Sequence, residues 1–225
     1  MKVEVQGPRL SGRRVRLWHE DYLVYRYLWP NLVQTVHAAL RSVAKISPKV
    51  LDVGCGNKPY RDLFGDAWYI GLNYSRANAT PDVIGDALAL PFADASFDLV
   101  FATQVLEHLP EPATFLKEAF RVLNPGGVLI LSCPFYWPLH EEPYDFFRFT
   151  KYGLAHMLRS ANFEDPVILA DGGGWAQAFL ALGLQLPYRL RAFRILTNLA
   201  GASLDRWFRN EGSTANYTLH AKKRA

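Results

Sequence analysis

The residues best suited to acid–base chemistry lie close together in the segment HEEPYDFFRFT, residues 140–150 of the 225-residue sequence. His140 is the best candidate base, because an imidazole titrates near neutral pH without help from its surroundings. Arg148 could orient this base or bind a substrate, together with Glu141 and Asp145. Alternatively, Asp145 and Arg148 simply pair and brace the loop. The segment is therefore a candidate for proton transfer to or from a bound molecule.

A second segment, VLDVGCGNKPY at residues 50–60, places an apolar run directly before two glycines. Gly54 and Gly56 carry no Cβ, so a ligand can approach the backbone closely there. A phosphate-binding loop would need Gly-Lys followed by Ser or Thr, whereas Asn57 follows Gly56. A dinucleotide fingerprint would need a third glycine where Pro59 stands. Both of these ligand classes fit poorly.

The glycine segment is the first of a series of motifs that follow one another along residues 47–133. They are DVGCG (52–56), YIGLN (69–73), GDA (85–87) with LPF (90–92), SFDLV (96–100), VLEHL (105–109) and LNPGG (123–127). The series resembles the class I S-adenosylmethionine-dependent methyltransferases with a type 11-like domain. This resemblance implies an enzyme whose cofactor is S-adenosylmethionine.

The resemblance also implies cofactor contacts, position by position. Asp52 and the glycine loop, which includes Cys55, would surround the methionine part of the cofactor. Asp86 and the Ala87 backbone would hold the adenine, whose amino group donates to a carboxylate. Gln104 would border the methionine end and the substrate. The residues so implied are Asp52, Gly54, Cys55, Gly56, Asn73, Asp86, Ala87 and Gln104.

Asn73 departs from the family pattern. The family usually ends its second strand with Asp or Glu, which accepts hydrogen bonds from both ribose hydroxyls. An amide can accept one hydroxyl proton and donate to the other oxygen, so the contact need not be lost. The charge assistance that is lost is worth on the order of 1 kcal/mol, or several-fold in affinity.

His108 lies in a Glu-His-Leu turn that methyltransferases of many specificities share. His108 either shapes the start of the next helix or takes part in catalysis. Together with the charged segment above, this gives three candidate catalytic residues, namely His140, His108 and Arg148.

Cys133 ends the fifth strand, where some RNA cytosine methyltransferases keep a cysteine. Those enzymes also need a Pro-Cys pair after the fourth strand, and this chain has Phe-Ala-Thr-Gln at 101–104. The Asn/Asp-Pro-Pro-Tyr motif for methylating amino groups of bases is also missing there, so a nucleic-acid partner is not expected.

Secondary structure must position these residues. Residues 19–45 have helical periodicity, with a break at Pro30 because proline does not fit a helix interior. Apolar runs predict strands at 50–53, 68–72, 83–84, 97–102, 128–132 and about 167–170. A helical face over 115–123 is stopped by Asn124-Pro125-Gly126-Gly127, and Thr150 is the N-cap of a helix over 151–160. Residues 217–222 alternate apolar and polar, which predicts a closing strand with one solvated face.

Strands that alternate with helices predict a parallel sheet. Together with the resemblance, this predicts an α/β fold: a Rossmann-like, doubly wound, mostly parallel seven-stranded sheet with helices on both faces and an antiparallel last strand. We expect a single methyltransferase domain over 1–225. Its parts would be N-terminal helices (1–46), a cofactor-binding core (47–170), a helical insertion or lid (171–212), and a closing strand with a basic tail (213–225).

The stretch 175–208 mixes apolar residues with arginines, and three interpretations are open. It is a lid over a hydrophobic substrate, or a peripheral surface that touches a membrane or a lipid-linked acceptor. The third interpretation is core packing or a homodimer contact.

Composition sets the remaining limits. With 50% hydrophobic and 20% charged residues and a net charge of +4, the chain is an ordinary globular protein long enough for a full core. Two cysteines, Cys55 and Cys133, make neither a disulfide framework nor a zinc ligand set, and no metal is predicted. The first residues lack the apolar segment of a secretory signal, so a cytoplasmic location is expected.

These observations predict a methyltransferase that uses S-adenosylmethionine and acts on a small-molecule or glycan acceptor, most simply at oxygen. Two alternatives stay open. One is a protein that keeps the fold but only binds, with Asn73 marking a decayed pocket. The other is methylation of RNA or protein, which clustered arginines at the pocket mouth would favour.

Overall fold

The computed structural model describes residues 16–77 and 79–224. Three of the arginines near the start of the chain, Arg9, Arg13 and Arg14, lie outside the described residues. The helices are α1 (Tyr22–Val43), α2 (Pro112–Val122), α3 (Lys151–Ser160), α4 (Gly174–Gln185) and α5 (Arg191–Trp207). The strands are β1 (Lys49–Val53), β2 (Trp68–Asn73), β3 (Val83–Ile84), β4 (Phe97–Thr103), β5 (Leu123–Pro134), β6 (Val167–Asp171) and β7 (Asn216–Lys222).

The seven strands form one sheet in the order β3-β2-β1-β4-β5-β7-β6. Strands β1 to β5 pair in parallel, whereas β7 runs antiparallel to both β5 and β6. The predicted Rossmann-like, mostly parallel sheet with an antiparallel last strand is therefore confirmed. Because the chain runs outward from β1 to β2 and then returns to β4, the strand order reverses between β1 and β4. Ligands of such sheets bind outside the carboxyl ends of the strands at this point.

Helix α1 covers one face of the sheet. Its buried residues Leu32, Val36 and Ala39 pack on alternate residues of the central strands, including Val50 and Phe101. The predicted break at Pro30 is wrong, because α1 continues through this residue. Pro30 lies on the exposed side of the helix. Water can therefore solvate the carbonyl that loses its partner, and burial of the opposite face offsets a cost of about 3 kcal/mol.

Helices α2 and α3 cover the other face, through buried residues such as Phe115, Leu116 and Leu158. The Thr150 side chain accepts the Gly153 N–H at 3.0 Å, which confirms the predicted N-cap of α3.

The end of α2 differs from the prediction that the Asn-Pro-Gly-Gly segment stops this helix. Helix α2 ends at Val122, and the Asn-Pro-Gly-Gly segment already belongs to β5. A register shift between Phe97 and Leu99 of the neighbouring strand accommodates this early start.

Strand β7 lies inside the sheet, between β5 and β6. The predicted solvated face is wrong, because its polar residues Asn216 and Thr218 are buried. Both donate hydrogen bonds to the buried carboxylate of Asp171. The alternation of apolar and polar residues in β7 therefore has another cause. The polar side chains belong to a buried hydrogen-bond network beneath α1, and they do not face water.

Helices α4 and α5 form a pair beside α1. The Asp205 carboxylate of α5 is buried and accepts the backbone N–H groups of Gly173 and Ala176 at the start of α4. The opposite side of α5 exposes large apolar residues, namely Phe193, Leu196, Leu199 and Trp207. Within the part of the chain that the structure describes, we find no helix with the length and apolar character needed to cross a membrane.

Candidate active site

The loop after β1 lies at the point where the strand order reverses. Gly54 has a φ of +72°, and a Cβ on it would lie 2.4 Å from Cγ2 of Val105, in the loop after β4. Gly56 has a φ of +49°, and no described atom lies within 4 Å of its Cβ position. The two loops therefore touch at Gly54, while the backbone at Gly56 is open to a ligand. This cradle fits a cofactor that approaches the main chain.

Asp52 lies in β1 just before this loop, and Cys55 is part of the loop. The Asp52 carboxylate is buried and accepts a short hydrogen bond from the Tyr69 hydroxyl. Burial raises its pKa to about 7. Burial also raises the pKa of the Cys55 thiol to about 12, so this cysteine is not a nucleophile at neutral pH. The predicted contacts of both residues with the cofactor stay predictions.

Asn73 is the last residue of β2, and Asp86 lies in the loop after β3. The Asn73 amide is buried and donates a hydrogen bond to the carbonyl oxygen of Ser75 at 2.9 Å. This contact commits one of the two amide hydrogens to its own loop. Asp86 is exposed, and its carboxylate accepts the N–H of Leu88 at 2.8 Å. Ala87 between them is half-buried.

Gln104 points toward β5 and β7. Its side-chain nitrogen donates to the Ser132 hydroxyl at 3.0 Å and to the Asn216 side-chain oxygen at 2.8 Å. Asn216 in turn donates to the Asp171 carboxylate, whose pKa burial raises to about 6. Gln104 therefore links the crevice to a polar network that extends away from the cofactor loops.

A cavity of about 330 Å³ opens beside Gln104. Its walls come from the start of α1, the loop after β4, the end of β5 with the loop that follows, and the start of β7. The lining residues are Glu20, Asp21, Val24, Tyr25, Leu28, Gln104, His108, Pro134, Trp137, His140, Glu141, Ala215 and Asn216. Its charged walls are therefore acidic, apart from the two histidines.

His140 is held by Asp145 and Arg148. Its Nδ1 lies 3.1 Å from the Asp145 carboxylate and 3.3 Å from the Pro138 carbonyl oxygen. Both are acceptors and both are nearer than the Arg148 guanidinium nitrogen at 3.4 Å, so Nδ1 carries the proton. Arg148 binds both oxygens of Asp145, at 2.6 and 2.7 Å. Burial opposes ionisation of Asp145, but these hydrogen bonds outweigh it and lower its pKa to about 2.

Arg148 thus contacts Asp145 and the backbone carbonyl oxygens of Trp137, Pro138 and Phe147. It braces the loop, as one of the two interpretations of the sequence predicted. Any part in catalysis would act through Asp145 and His140.

His108 lines the cavity, and the fully buried Glu107 lies beside it. The His108 Nδ1 lies 2.8 Å from the Tyr144 carbonyl oxygen, which can only accept, so Nδ1 carries the proton and Nε2 has the lone pair. Burial lowers the pKa of His108 and raises that of the adjacent Glu107 to about 8. Both Glu107 carboxyl oxygens are buried and lack a hydrogen-bond partner among the described residues.

The structure therefore brings His108, His140 and Gln104 together at one cavity, and keeps Asp52, Asn73 and Asp86 at the cofactor loops. Sequence reasoning missed Glu20 and Asp21, which α1 brings to the cavity from the other end of the chain. Their local sequence carries no signal for this. Glu107 was visible in its turn, but its burial follows from the fold alone.

Comparisons with known proteins agree with this geometry. Residues 51–131 match the sequence model of the family described as methyltransferase domain. A probable S-adenosylmethionine-dependent methyltransferase of Mycolicibacterium smegmatis is 36% identical over 147 residues, which cover 57% of each chain. A 2-methyl-6-phytyl-1,4-hydroquinone methyltransferase of Synechocystis is 40% identical over 98 residues, covering 37% of this chain and 31% of that protein.

A solved structure from Thermotoga maritima, described as a possible histamine N-methyltransferase, matches the fold. It covers 91% of this chain and 93% of its own, with a TM-score of 0.58 and 18% identity. The matched regions span between 31% and 57% of the two curated relatives. The predicted cofactor is confirmed at the level of the family. Residues 51–131 of the chain therefore belong to a methyltransferase domain of the S-adenosylmethionine-dependent kind.

Proposed function

We propose that this protein transfers a methyl group from S-adenosylmethionine to a hydroxyl oxygen of a small or carbohydrate-like acceptor. The observation that carries the proposal is the cavity beside Gln104, the neighbour of the Val105 that meets Gly54. His140 lines this cavity, and its Nδ1 lies 3.1 Å from the Asp145 carboxylate behind it. A catalytic imidazole oriented by a carboxylate is a common arrangement for removing a proton from a hydroxyl.

Bound in the crevice, the cofactor would supply an electrophilic methyl group on a sulfonium. Gly54 and Gly56 would hold it against the main chain, and Val105 would set the distance between the loops after β1 and β4. His140 activates the acceptor, since its proton on Nδ1 is fixed by Asp145 and its other nitrogen can accept the hydroxyl proton. An O–CH₃ bond forms, the S–CH₃ bond breaks, and the acceptor proton moves to the imidazole. Alignment of the two reactants supplies most of the remaining rate enhancement.

The chemistry of the cavity supports a small, uncharged and hydroxylated acceptor. Its volume of about 330 Å³ lies at the lower end of small-molecule sites. Glu20, Asp21 and Glu141 can accept hydrogen bonds from hydroxyls, whereas they would repel phosphates. Arg194, one of the late arginines, already binds Glu20 at 3.3 Å. A nucleic-acid acceptor therefore finds no support here.

The outer face of α5, formed by Phe193, Leu196, Leu199 and Trp207, supports a contact with a membrane that holds a lipid-linked acceptor. These four residues are exposed, and the exposed Arg206 lies next to Trp207. An amphipathic helix with this composition binds anionic lipid surfaces.

A vesicle-binding assay tests this contact. Leu196→Glu should reduce binding to anionic phospholipid vesicles several-fold, while Ile46→Glu, at a fully exposed position elsewhere, should not. If the wild type is instead a dimer that Leu196→Glu dissociates, the face is a homodimer contact and the membrane proposal fails.

An activity screen tests the proposed function. The protein is incubated with S-adenosylmethionine and a panel of small glycosides and phenols, and S-adenosylhomocysteine release is measured. We expect release in step with a methyl ether product, identified by mass and by NMR. A methyl group on carbon, as in some relatives named C-methyltransferases, would contradict O-methylation. Cofactor binding without turnover on any hydroxylated acceptor would leave the binding-protein alternative.

A further inference from the structure

Three ligand-type side chains meet at the inner wall of the cavity. Glu107, His108 and His140 each offer one atom, and the three atoms lie within 4.8 Å of one another. The His108 Nε2 is 3.8 Å from a Glu107 carboxyl oxygen. The three residues come from two segments more than thirty positions apart, so the fold assembles the group.

Glu107 carries the strongest sign of a missing partner. Its carboxyl group is fully buried, and within the described residues neither oxygen has a hydrogen-bond partner. An ionised carboxylate buried without a partner is costly, so such a group stays protonated until a counter-ion or a metal binds it. The nearest imidazole nitrogen cannot hydrogen-bond to it at 3.8 Å.

Both histidines have the outer contacts that metal ligands have. The His108 Nδ1 lies 2.8 Å from the Tyr144 carbonyl oxygen, and the His140 Nδ1 lies 3.3 Å from the Pro138 carbonyl oxygen and 3.1 Å from the Asp145 carboxylate. Such contacts fix the tautomer and leave the Nε2 lone pair for a metal. Asp145 is in turn bound by Arg148 at both oxygens, which fixes the carboxylate.

We propose that Glu107, His108 and His140 bind one divalent transition-metal ion, of the Zn²⁺ type, at the wall of the acceptor cavity. Two imidazoles and one carboxylate suit zinc, cobalt and related ions, and leave an open coordination position. Bonds of about 2.1 Å place tetrahedral ligand atoms about 3.4 Å apart, so the group contracts by roughly 1 Å on binding. His140 can supply this movement, because its side chain is 26% exposed and lies on a loop.

The role of this metal rests on the proposed function. His108 and His140 line the cavity, so the open position faces the acceptor. There the metal binds the acceptor hydroxyl and lowers its pKa. In the metal-bound form the Nε2 lone pair of His140 is occupied by the metal, so Glu141, which lines the same cavity, takes the hydroxyl proton in place of His140.

A cobalt titration of the tag-free, chelator-treated protein tests the site. We expect one equivalent of Co²⁺ to bind, with visible absorption bands of a low-symmetry site, and Zn²⁺ to displace it. Glu107→Gln and His140→Gln should each weaken binding by roughly tenfold or more. His156→Gln, at an exposed histidine of α3, is the matched control and should bind as the wild type does.

Each outcome decides the proposal separately from the proposed function. Absence of Co²⁺ binding, or binding that both variants retain, overturns the metal site. Thermal unfolding of the two variants checks that a loss of binding is not a loss of folding. Methyl transfer that persists in chelator with no bound metal overturns the role of the metal at the acceptor, but supports the proposed function. Metal binding without methyl transfer supports the site and contradicts the function.

Discussion

The cofactor loops and the acceptor cavity are built in different ways. The cofactor loops follow β1, β2 and β3 within a short stretch of chain, and their geometry depends on backbone at Gly54 and Gly56. The cavity is built from side chains that arrive from both ends of the sequence, from Glu20 to Asn216. The matched residues 51–131 contain all three cofactor loops, but only Gln104 and His108 of the residues that line the cavity.

The difference separates what the family shares from what sets this protein apart. A backbone cradle needs glycine at fixed positions, so it leaves a local signature. A side-chain cavity needs only that distant segments meet, and many sequences satisfy that. We therefore expect changes at the cofactor loops to alter cofactor binding, and changes at the cavity to alter turnover alone.

The largest expected effect is that of His140→Gln on turnover. Loss of the group that activates the acceptor should lower kcat by roughly 10²–10⁴-fold. The affinity for S-adenosylhomocysteine should stay unchanged, because His140 lies on the acceptor side. Steady-state kinetics and calorimetry on one preparation measure both quantities. Unchanged turnover would remove His140 from the mechanism.

Gly54→Ala should act on the other region. The new Cβ would meet the buried Val105 side chain at 2.4 Å, and the left-handed backbone disfavours any side chain. Together these effects cost roughly 2–4 kcal/mol in folding, in cofactor binding, or in both. Gly56→Ala is the matched control, since no described atom lies near its Cβ and it carries only the backbone cost. An equal loss of stability and of cofactor affinity in Gly54→Ala and Gly56→Ala would contradict the contact between the loops.

Asp52→Asn should change the pH dependence of stability. The pKa of Asp52 rises from 3.8 in the unfolded chain to about 7 in the fold, because the carboxyl is buried. The folded protein therefore keeps a proton that the unfolded chain has lost, and its contribution to stability falls as pH rises from about 4 to about 7.

Urea unfolding of wild type and Asp52→Asn at pH values across this range measures the effect. The free energy of unfolding of the variant relative to the wild type should increase with pH, by up to roughly 4 kcal/mol in total. A difference that is constant with pH would show that Asp52 ionises normally in the fold.

Asn73→Asp has the smallest expected effect. A carboxylate would bring charge assistance to a ribose hydroxyl, worth about 1 kcal/mol, but it would lose the hydrogen bond to the Ser75 carbonyl oxygen, worth about as much. The dissociation constant for S-adenosylmethionine should therefore change by less than about threefold. A tenfold gain in affinity would mean that the loop contact of Asn73 is unimportant when the cofactor binds.

Sequence patterns predicted the sheet well because strand runs and glycine motifs are local. They predicted the N-cap at Thr150 for the same reason. They failed at Pro30, where burial of the opposite helix face outweighs the local cost, and at β7, where buried polar partners replace water. Neither effect can be read from neighbouring residues.

The candidate site shows the same contrast between features that local sequence predicts and features that depend on distant contacts. His140 and Arg148 were recognisable as a charged cluster, but their arrangement around Asp145 required the fold. The burial of Glu107 and the approach of Glu20 and Asp21 depend on contacts between distant segments. The residues next to Glu107, Glu20 and Asp21 in the sequence carry no pattern that predicts those contacts.

Calorimetric titration with S-adenosylhomocysteine tests the central claim most directly, when wild type, His140→Gln and Gly54→Ala are measured side by side. We predict one micromolar site in the wild type, the same affinity in His140→Gln, and strongly weakened binding in Gly54→Ala. Absence of binding to the wild type at millimolar ligand would contradict the account, and so would an equal loss of affinity in both variants.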